Sequence, residues 1–481
     1  MNQTHEHSRP LVGSGVLTHQ HKLFVLFVLL FVGLLIATID GLTRAPNDFE
    51  EDVVEEFEYV PYPGALAFAA LSLPLIFSYA KRRQIAKSEA LLLWLLLCTA
   101  AYQKDFAYIK IPHVPVYVTD VGLLVLAMNI KWKKFLFIEP RSSIKLAWIA
   151  FVCVGSLMFV RGIASGNDTK LVFRDFAIVV YSAFMVVAFY VFDTWEAMRR
   201  VGIVVLVGSL VCSWCGLCWF LVHPGQRRLI FYGLYVILSF IGVMVLTFKR
   251  LIRNKRALLL LLILGLGVLM SNARSLELAL ILSLLLFLMT SFGQKVALGK
   301  IVAGAARVAM TALVVFAIVW NTAGGKTFIE RSVDEFVAGV FHSQEDPNSQ
   351  FRLLAWAEAG GRFLAQPIIG EGLGVPFIFE RSDLDPRPHN TYLTVLYKMG
   401  LIGFIPLATL LISIFVKAWK WLKRSKGDPN WVFFQVLILT QFAICVYGGL
   451  NLVLESPFLS IAFWVNLGMI WRGLHLVEEH Q

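Results

Sequence analysis

His389 and a scatter of arginines are the side chains of this chain best suited to chemistry. A neutral imidazole can take a proton from an attacking hydroxyl near pH 7. His389 stands in Pro388-His389-Asn390-Thr391, directly before a long apolar run. Its structural alternative is a residue that only orders the loop, with Asn390 capping the helix that follows. Arg161, Arg174, Arg227, Arg228 and Arg274 fall at the ends of apolar runs, and Arg352, Arg362, Arg381 and Arg387 lie in the polar segment before His389. A charge beside a membrane span costs from about 2.5 kcal/mol upward on insertion scales, so it needs a partner or a task. Guanidinium stays charged at physiological pH and its planar fork matches phosphate oxygens. Phosphate or pyrophosphate on a lipid carrier is therefore the guest this set suits. Where phosphate is the leaving group, the same contacts strengthen as charge develops on it.

Arg274 is the sharpest case, because Ser271-Asn272-Ala273-Arg274-Ser275 interrupts an apolar stretch and turns the chain back. Its plainer readings are a snorkelling cation or an ion pair with Glu277. Arg174, in Phe173-Arg174-Asp175-Phe176, has Asp175 or a neighbouring helix as an alternative partner. Glu371, Glu380, Asp383 and Asp385 share the segment before His389 and are rival bases or groups that orient it. Gly370-Glu371-Gly372-Leu373-Gly374 permits a tight turn, either a plain loop or one that approaches a ligand. Asp383-Leu384-Asp385 is similar to an Asp-x-Asp metal site, but a solvated loop is the preferred reading, and neither an obligatory metal nor a cofactor is expected. Cys212, Cys215 and Cys218 lie within an apolar run and read as helix-packing residues. His5, His7, His19 and His21 read as part of a disordered tail.

The elements that must position these residues follow from composition. With 58% hydrophobic and 16% charged residues over 481 positions, the chain is too apolar for a soluble domain. Apolar runs of this length cross a bilayer only as helices. The fold expected is all-α, a polytopic transmembrane bundle of about 12–14 spans with one large outer loop containing short helices. The net charge of +11 does not indicate nucleic acid. Lys81-Arg82-Arg83, Lys131 with Lys133-Lys134, Arg199-Arg200, Lys249 to Arg256 and Lys417 to Lys426 recur after every second span and assign those loops to the cytoplasm. His389 then falls on the opposite side. Expected regions are a cytoplasmic tail (1–21), membrane helices with short loops (22–320), a large outer loop (321–390), further membrane helices (391–472) and a cytoplasmic tail (473–481). Within the large loop, Phe351, Leu354, Ala355, Ala359 and Phe363 recur at helical spacing and Gln366-Pro367 ends that helix.

His389-Asn390, nine intervening residues, Gly400, two more and Gly403 resemble the signature of the bacterial O-antigen ligase and polymerase family. Arg352 to Trp356, Pro367 with Gly370 to Gly374, and the Ser-Asn-Ala-Arg-Ser stretch match as well, over about Ala257 to Gly403. The chain departs from the pattern after Ala273, at Ser275-Leu276-Glu277. The resemblance implies an integral-membrane glycosyltransferase of the bacterial inner membrane, its site facing the periplasm. The donor it implies is an undecaprenyl-pyrophosphate-linked glycan. The acceptor is lipid A-core for a ligase or another lipid-linked repeat for a polymerase. It further implies that His389 and Arg274 are catalytic and that Arg274 and Arg174 bind pyrophosphate; the residues themselves add Arg352 as a phosphate contact and Asn390, Glu371 and Glu277 as supporting groups. A reading from another class is a lipid-linked glycan transporter. Against it, the charges gather at one membrane edge, whereas transporters place them near the midplane.

Overall fold

The computed structural model describes residues 14–44, 62–110, 116–133, 135–136, 142–223, 233–271, 273–291, 306, 310, 313–322, 324–341, 346–377 and 387–478. Among these the regular structure is helical, apart from one isolated antiparallel bridge between Lys110 and Tyr117. In chain order the helices are α1 (Ser14–Thr43), α2 (Pro63–Arg83), α3 (Lys87–Ala107), α4 (Val118–Met128), α5 (Ser143–Ala164), α6 (Thr169–Val180), α7 (Ala183–Val191), α8 (Trp195–Val222) and α9 (Leu234–Phe248). They continue with α10 (Asn254–Ser271), α11 (Arg274–Ser291), α12 (313–320), α13 (Gly325–Phe341), α14 (Pro347–Ala365), α15 (Thr391–Arg424), α16 (Trp431–Gly448) and α17 (Pro457–Glu478). Eight helical stretches among the described residues are long and apolar enough to cross a membrane. The protein is an all-α, multi-pass membrane bundle. One of these stretches, Thr169–Val191, is built from two helices, α6 and α7, whose junction is held by Trp148 Nε1 donating to the Ser182 carbonyl at 3.1 Å.

Burial follows sequence character. α7 and α17 are apolar on nearly every face and lie in the middle of the bundle, where almost every side chain of α17 is buried. α1 keeps Phe24, Phe27, Phe31 and Leu35 on the outside, as a lipid-facing helix should. Cys212, Cys215 and Cys218 pack inside α8, and Gln103 Nε2 donates to Cys212 Sγ at 3.2 Å, so the helix-packing reading of these residues holds.

Polar contacts sort the helix ends into two groups. At one end, Arg199 donates to Asn430 Oδ1 at 2.6 Å, Arg200 to Glu89 at 2.7 Å and Arg472 to the Asp193 carbonyl at 3.1 Å. There too Lys249 lies 4.7 Å from the centre of the Trp431 ring. These contacts gather the loops carrying the basic clusters at a single basic end. At the other end, Arg44 after α1 pairs with Asp105 of α3 at 2.9 Å and its carbonyl bonds His223 after α8 at 3.0 Å. Asn451, after α16, donates to Ser275 Oγ of α11 at 2.9 Å, and its carbonyl accepts Thr391 Oγ1 of α15 at 2.9 Å. The starts of α11 and α15, and with them Arg274 and His389, therefore share the end opposite the basic clusters.

Candidate functional site

α14 organises this end. Its N-cap is Asp346, whose carboxylate accepts the Ser349 N–H at 2.9 Å and the Ser349 hydroxyl at 2.6 Å. The same carboxylate receives Arg274 at 3.2 Å and 3.5 Å from the start of α11. Burial alone would raise the Asp346 pKa, but Ser349 and Arg274 together hold it below the ordinary carboxylate range. The partner of Arg274 is thus Asp346, from a residue far along the chain, rather than Glu277. One turn into α14, half-buried Arg352 makes no ion pair or hydrogen bond among the described residues. Its pKa is lowered by burial and by the like charge of Arg274, with Asp346 pulling the other way. Two guanidiniums thus lie within electrostatic reach of the Asp346 carboxylate, though of the two only Arg274 bonds it, which is a positive excess among these three groups.

His389 meets the same helix, α14, that carries Arg352. Phe351, the neighbour of Arg352, presents its ring edge-on to the imidazole at a centroid distance of 6.0 Å. Trp356 Nε1 donates to the Pro388 carbonyl at 2.7 Å and fixes the residue before the histidine. Asn390 caps α15, accepting from the N–H groups of Tyr392 and Leu393 at 3.1 Å each. His389 lies just outside the helix with φ of 46°, a left-handed backbone that an L side chain adopts only where its surroundings enforce it. The capping role weighed for this segment belongs to Asn390.

A second cluster adjoins the first. Asp175, 1% exposed in its side chain, accepts Lys398 Nζ at 2.6 Å and the Gly374 N–H at 2.8 Å, with Arg174 Nη2 at 3.6 Å. Arg387, two residues before His389, pairs with Glu455 at 3.7 Å. Burial raises the Glu455 pKa, partly offset by Arg387, Arg174 and Lys398. Glu455 lies in the same loop as Asn451, so this loop ties Arg174 and Arg387 to the Arg274 end. Lys398, Asp346 and Glu455 are the charged groups that sequence reasoning did not single out. Lys398 carried a readable signal, a cation inside an apolar run.

The glycine run is structural. α15 is broken at Gly400, with φ of 62° and ψ of −166°, and residues 366–372 run alongside the break. The Tyr397 and Lys398 carbonyls accept from Glu371 and Gly372 at 2.8 Å and 3.1 Å, and the Leu401 and Ile402 N–H groups donate to Pro367 and Ile368 at 2.9 Å and 3.1 Å. A Cβ on Gly400 would come within 2.3 Å of the Ile368 carbonyl oxygen, and one on Gly370 within 2.5 Å of Lys398 backbone. Glycine at both positions is what permits the crossing. Arg161 donates to the Gly370 carbonyl at 3.0 Å and Asn167 to that of Leu373 at 2.8 Å, so the loop is pinned to α5 and α6. Glu371 faces Arg362 at 3.4 Å, and burial raises its pKa against the pull of Arg362 and Lys398. Asn272, Arg227, Arg228, Glu380, Arg381, Asp383 and Asp385 lie outside the described residues.

Residues 257–408 match the family model described as O-antigen ligase. The matched stretch runs from α10 into α15 and contains Arg274, Asp346, Arg352, His389 and Lys398, while Arg174 and Glu455 fall outside it. No curated protein matches the chain at a significant level.

Proposed function

We propose, on the match of residues 257–408 to the O-antigen ligase family model, that the protein is a membrane glycosyltransferase of O-antigen assembly with a specific reaction. The protein transfers a glycan from undecaprenyl pyrophosphate to a hydroxyl of lipid A-core, on the periplasmic face of the inner membrane. The basic end faces the cytoplasm, in accord with the positive-inside rule. The observation that carries the reading is the convergence of Arg274, Arg352 and His389 around α14 at the other end.

In this reaction the acceptor oxygen attacks the anomeric carbon while His389 takes its proton. The bond from that carbon to the pyrophosphate oxygen breaks, and undecaprenyl pyrophosphate leaves with one more negative charge. Attack opposite the leaving group inverts the configuration. Arg274 and Arg352 meet the developing charge with the positive excess noted above, and Arg174 holds the donor from the adjoining cluster. Asn390 fixes the start of α15 beside the histidine.

The test is glycan transfer in proteoliposomes holding purified protein, undecaprenyl-pyrophosphate-linked glycan and lipid A-core. His389→Ala should lower the rate by about 100-fold or more, the usual worth of a general base. Arg274→Ala and Arg352→Ala should lower it while the protein remains folded. Normal transfer by the histidine and Arg274 variants would overturn the assignment, and transfer only to a second lipid-linked repeat would make the protein a polymerase.

A further inference from the structure

A slot lies among α8, α9, α16 and α17, running from the basic end, at Arg199, to Tyr235 and Ala462, and neither Arg274 nor His389 lines it. Its volume is about 420 Å³ and its mouth is formed by Arg199, Leu251 and Pro429. Gly202, Gly242 and Phe433 form part of its wall, and it reaches inward to Thr440 and Asn466. The inner polar groups are already bonded: Asn466 donates to the Leu437 carbonyl at 2.9 Å, and Ser239 to Ser209 Oγ at 2.8 Å. Water would find few partners against the remaining apolar walls, and an empty void of this size is strongly unfavourable in a packed interior. Hydrocarbon is the filling that such walls favour.

The mouth selects the head group. Arg199 is exposed there, its guanidinium fixed by Asn430 at 2.6 Å with further N–H donors left over. Arg250 and Arg253, both exposed, flank Leu251 in the chain, and Lys249 lies over Trp431 beside Asn430. We propose that this slot holds one acyl chain of an anionic diacyl phospholipid from the leaflet at the basic end, with its phosphate against Arg199. The volume suits on the order of one alkyl chain, within the range of small-ligand sites. The second chain remains in the bilayer.

Fillers of the slot test this directly. A Cβ added at Gly242 meets only Val436 at 3.6 Å and one at Gly202 only Phe433 at 3.9 Å, so Gly242→Leu and Gly202→Leu grow into the space without a backbone clash. Delipidated protein in mild detergent is given phosphatidylglycerol or phosphatidylcholine, its thermal midpoint is followed, and native mass spectrometry records retained lipid. Wild type should retain one phospholipid and gain several degrees with phosphatidylglycerol, because a ligand of the folded state stabilises it by mass action. Both fillers should lose retention and the gain, while matching or exceeding the lipid-free wild-type midpoint, which distinguishes a filled slot from misfolding. If one filler falls below that midpoint, the other decides. Arg199→Gln should weaken phosphatidylglycerol by about tenfold, the worth of a charge-assisted bond, and leave phosphatidylcholine unchanged. A phosphatidylglycerol effect that survives a folded filler, equal stabilisation by the two lipids, or retention of a polyprenyl phosphate instead would overturn the proposal.

Discussion

The Lys398–Asp175 pair offers the sharpest test of how the outer end is held. Both side chains are almost wholly buried, at 2% and 1% exposure, and their charged atoms are 2.6 Å apart. Removing one member of such a pair leaves an uncompensated charge, at about 3–5 kcal/mol. Lys398→Met falls at the low end, about 3 kcal/mol, because Asp175 keeps the Gly374 N–H at 2.8 Å and Arg174 at 3.6 Å. Asp175→Leu costs more, about 4 kcal/mol, since Lys398 keeps only the Val375 carbonyl at 3.3 Å as a hydrogen-bond acceptor among the described residues and the Gly374 N–H loses its acceptor. The double variant removes both members of the pair, leaving Arg174 without its Asp175 contact and the Gly374 N–H without an acceptor, and should cost about 3 kcal/mol instead of the roughly 7 expected for independent sites. Unfolding in mixed micelles by dodecyl sulfate titration, followed by tryptophan fluorescence, measures all three. A double variant destabilised by the full sum would refute the claim that most of each single cost is the charge left without its partner.

Gly400→Ala should destabilise by more than about 2 kcal/mol, from the left-handed backbone and the Ile368 contact, and abolish transfer, whereas Gly360→Ala, with nothing within 4 Å, should be neutral or stabilise α14 by up to about 1 kcal/mol; thermal midpoints compare them. The Asp346 carboxylate, held below its ordinary value of 3.8, contributes stability that is present above that value and lost as pH falls through its lower folded pKa. Arg274→Ala should therefore move the acid loss of α14 docking to higher pH, as read by midpoints between pH 6 and 3. Asn451→Ala removes the bond to Ser275 and should cost about 1 kcal/mol, with a fall in transfer rate that Ser275→Ala reproduces.

Much of the architecture was legible because hydropathy and basic clusters act locally. Arg199, Lys249 and the residues after Lys417 announce their side of the membrane without reference to anything distant, and the contacts of Arg199 with Asn430 and of Lys249 with Trp431 bring those ends together as the alternation requires. His389 and Arg274 were legible as candidates for the same reason: each interrupts or opens an apolar run. Their surroundings were not. Asp346 acquires its role only when α14 folds back over the start of α11, a pairing across 72 positions that no local pattern encodes. Glu455 likewise gains meaning from Arg387, and the run at Gly370 stayed open between a plain loop and a ligand loop because its true neighbour, Gly400, is a helix residue by pattern. Glu277 was the obvious partner for Arg274 by helical spacing, and the competing carboxylate at a helix N-cap won.

The splice between residues 367–372 and the interrupted turn of α15 restricts how a bulky guest can enter. Peeling that strip away would strand both halves of four main-chain bonds where hydrocarbon offers no substitute, on the order of 4–12 kcal/mol in all. Thermal fluctuation will seldom open such a seam. The Asp346 tip of α14 is fastened to α11 instead by its side-chain contact with Arg274, a group that a diphosphate can itself engage. The diphosphate of the proposed donor would compete with that carboxylate for Arg274, so the tip of α14 is the fastening a ligand can loosen and the seam at Gly400 is not.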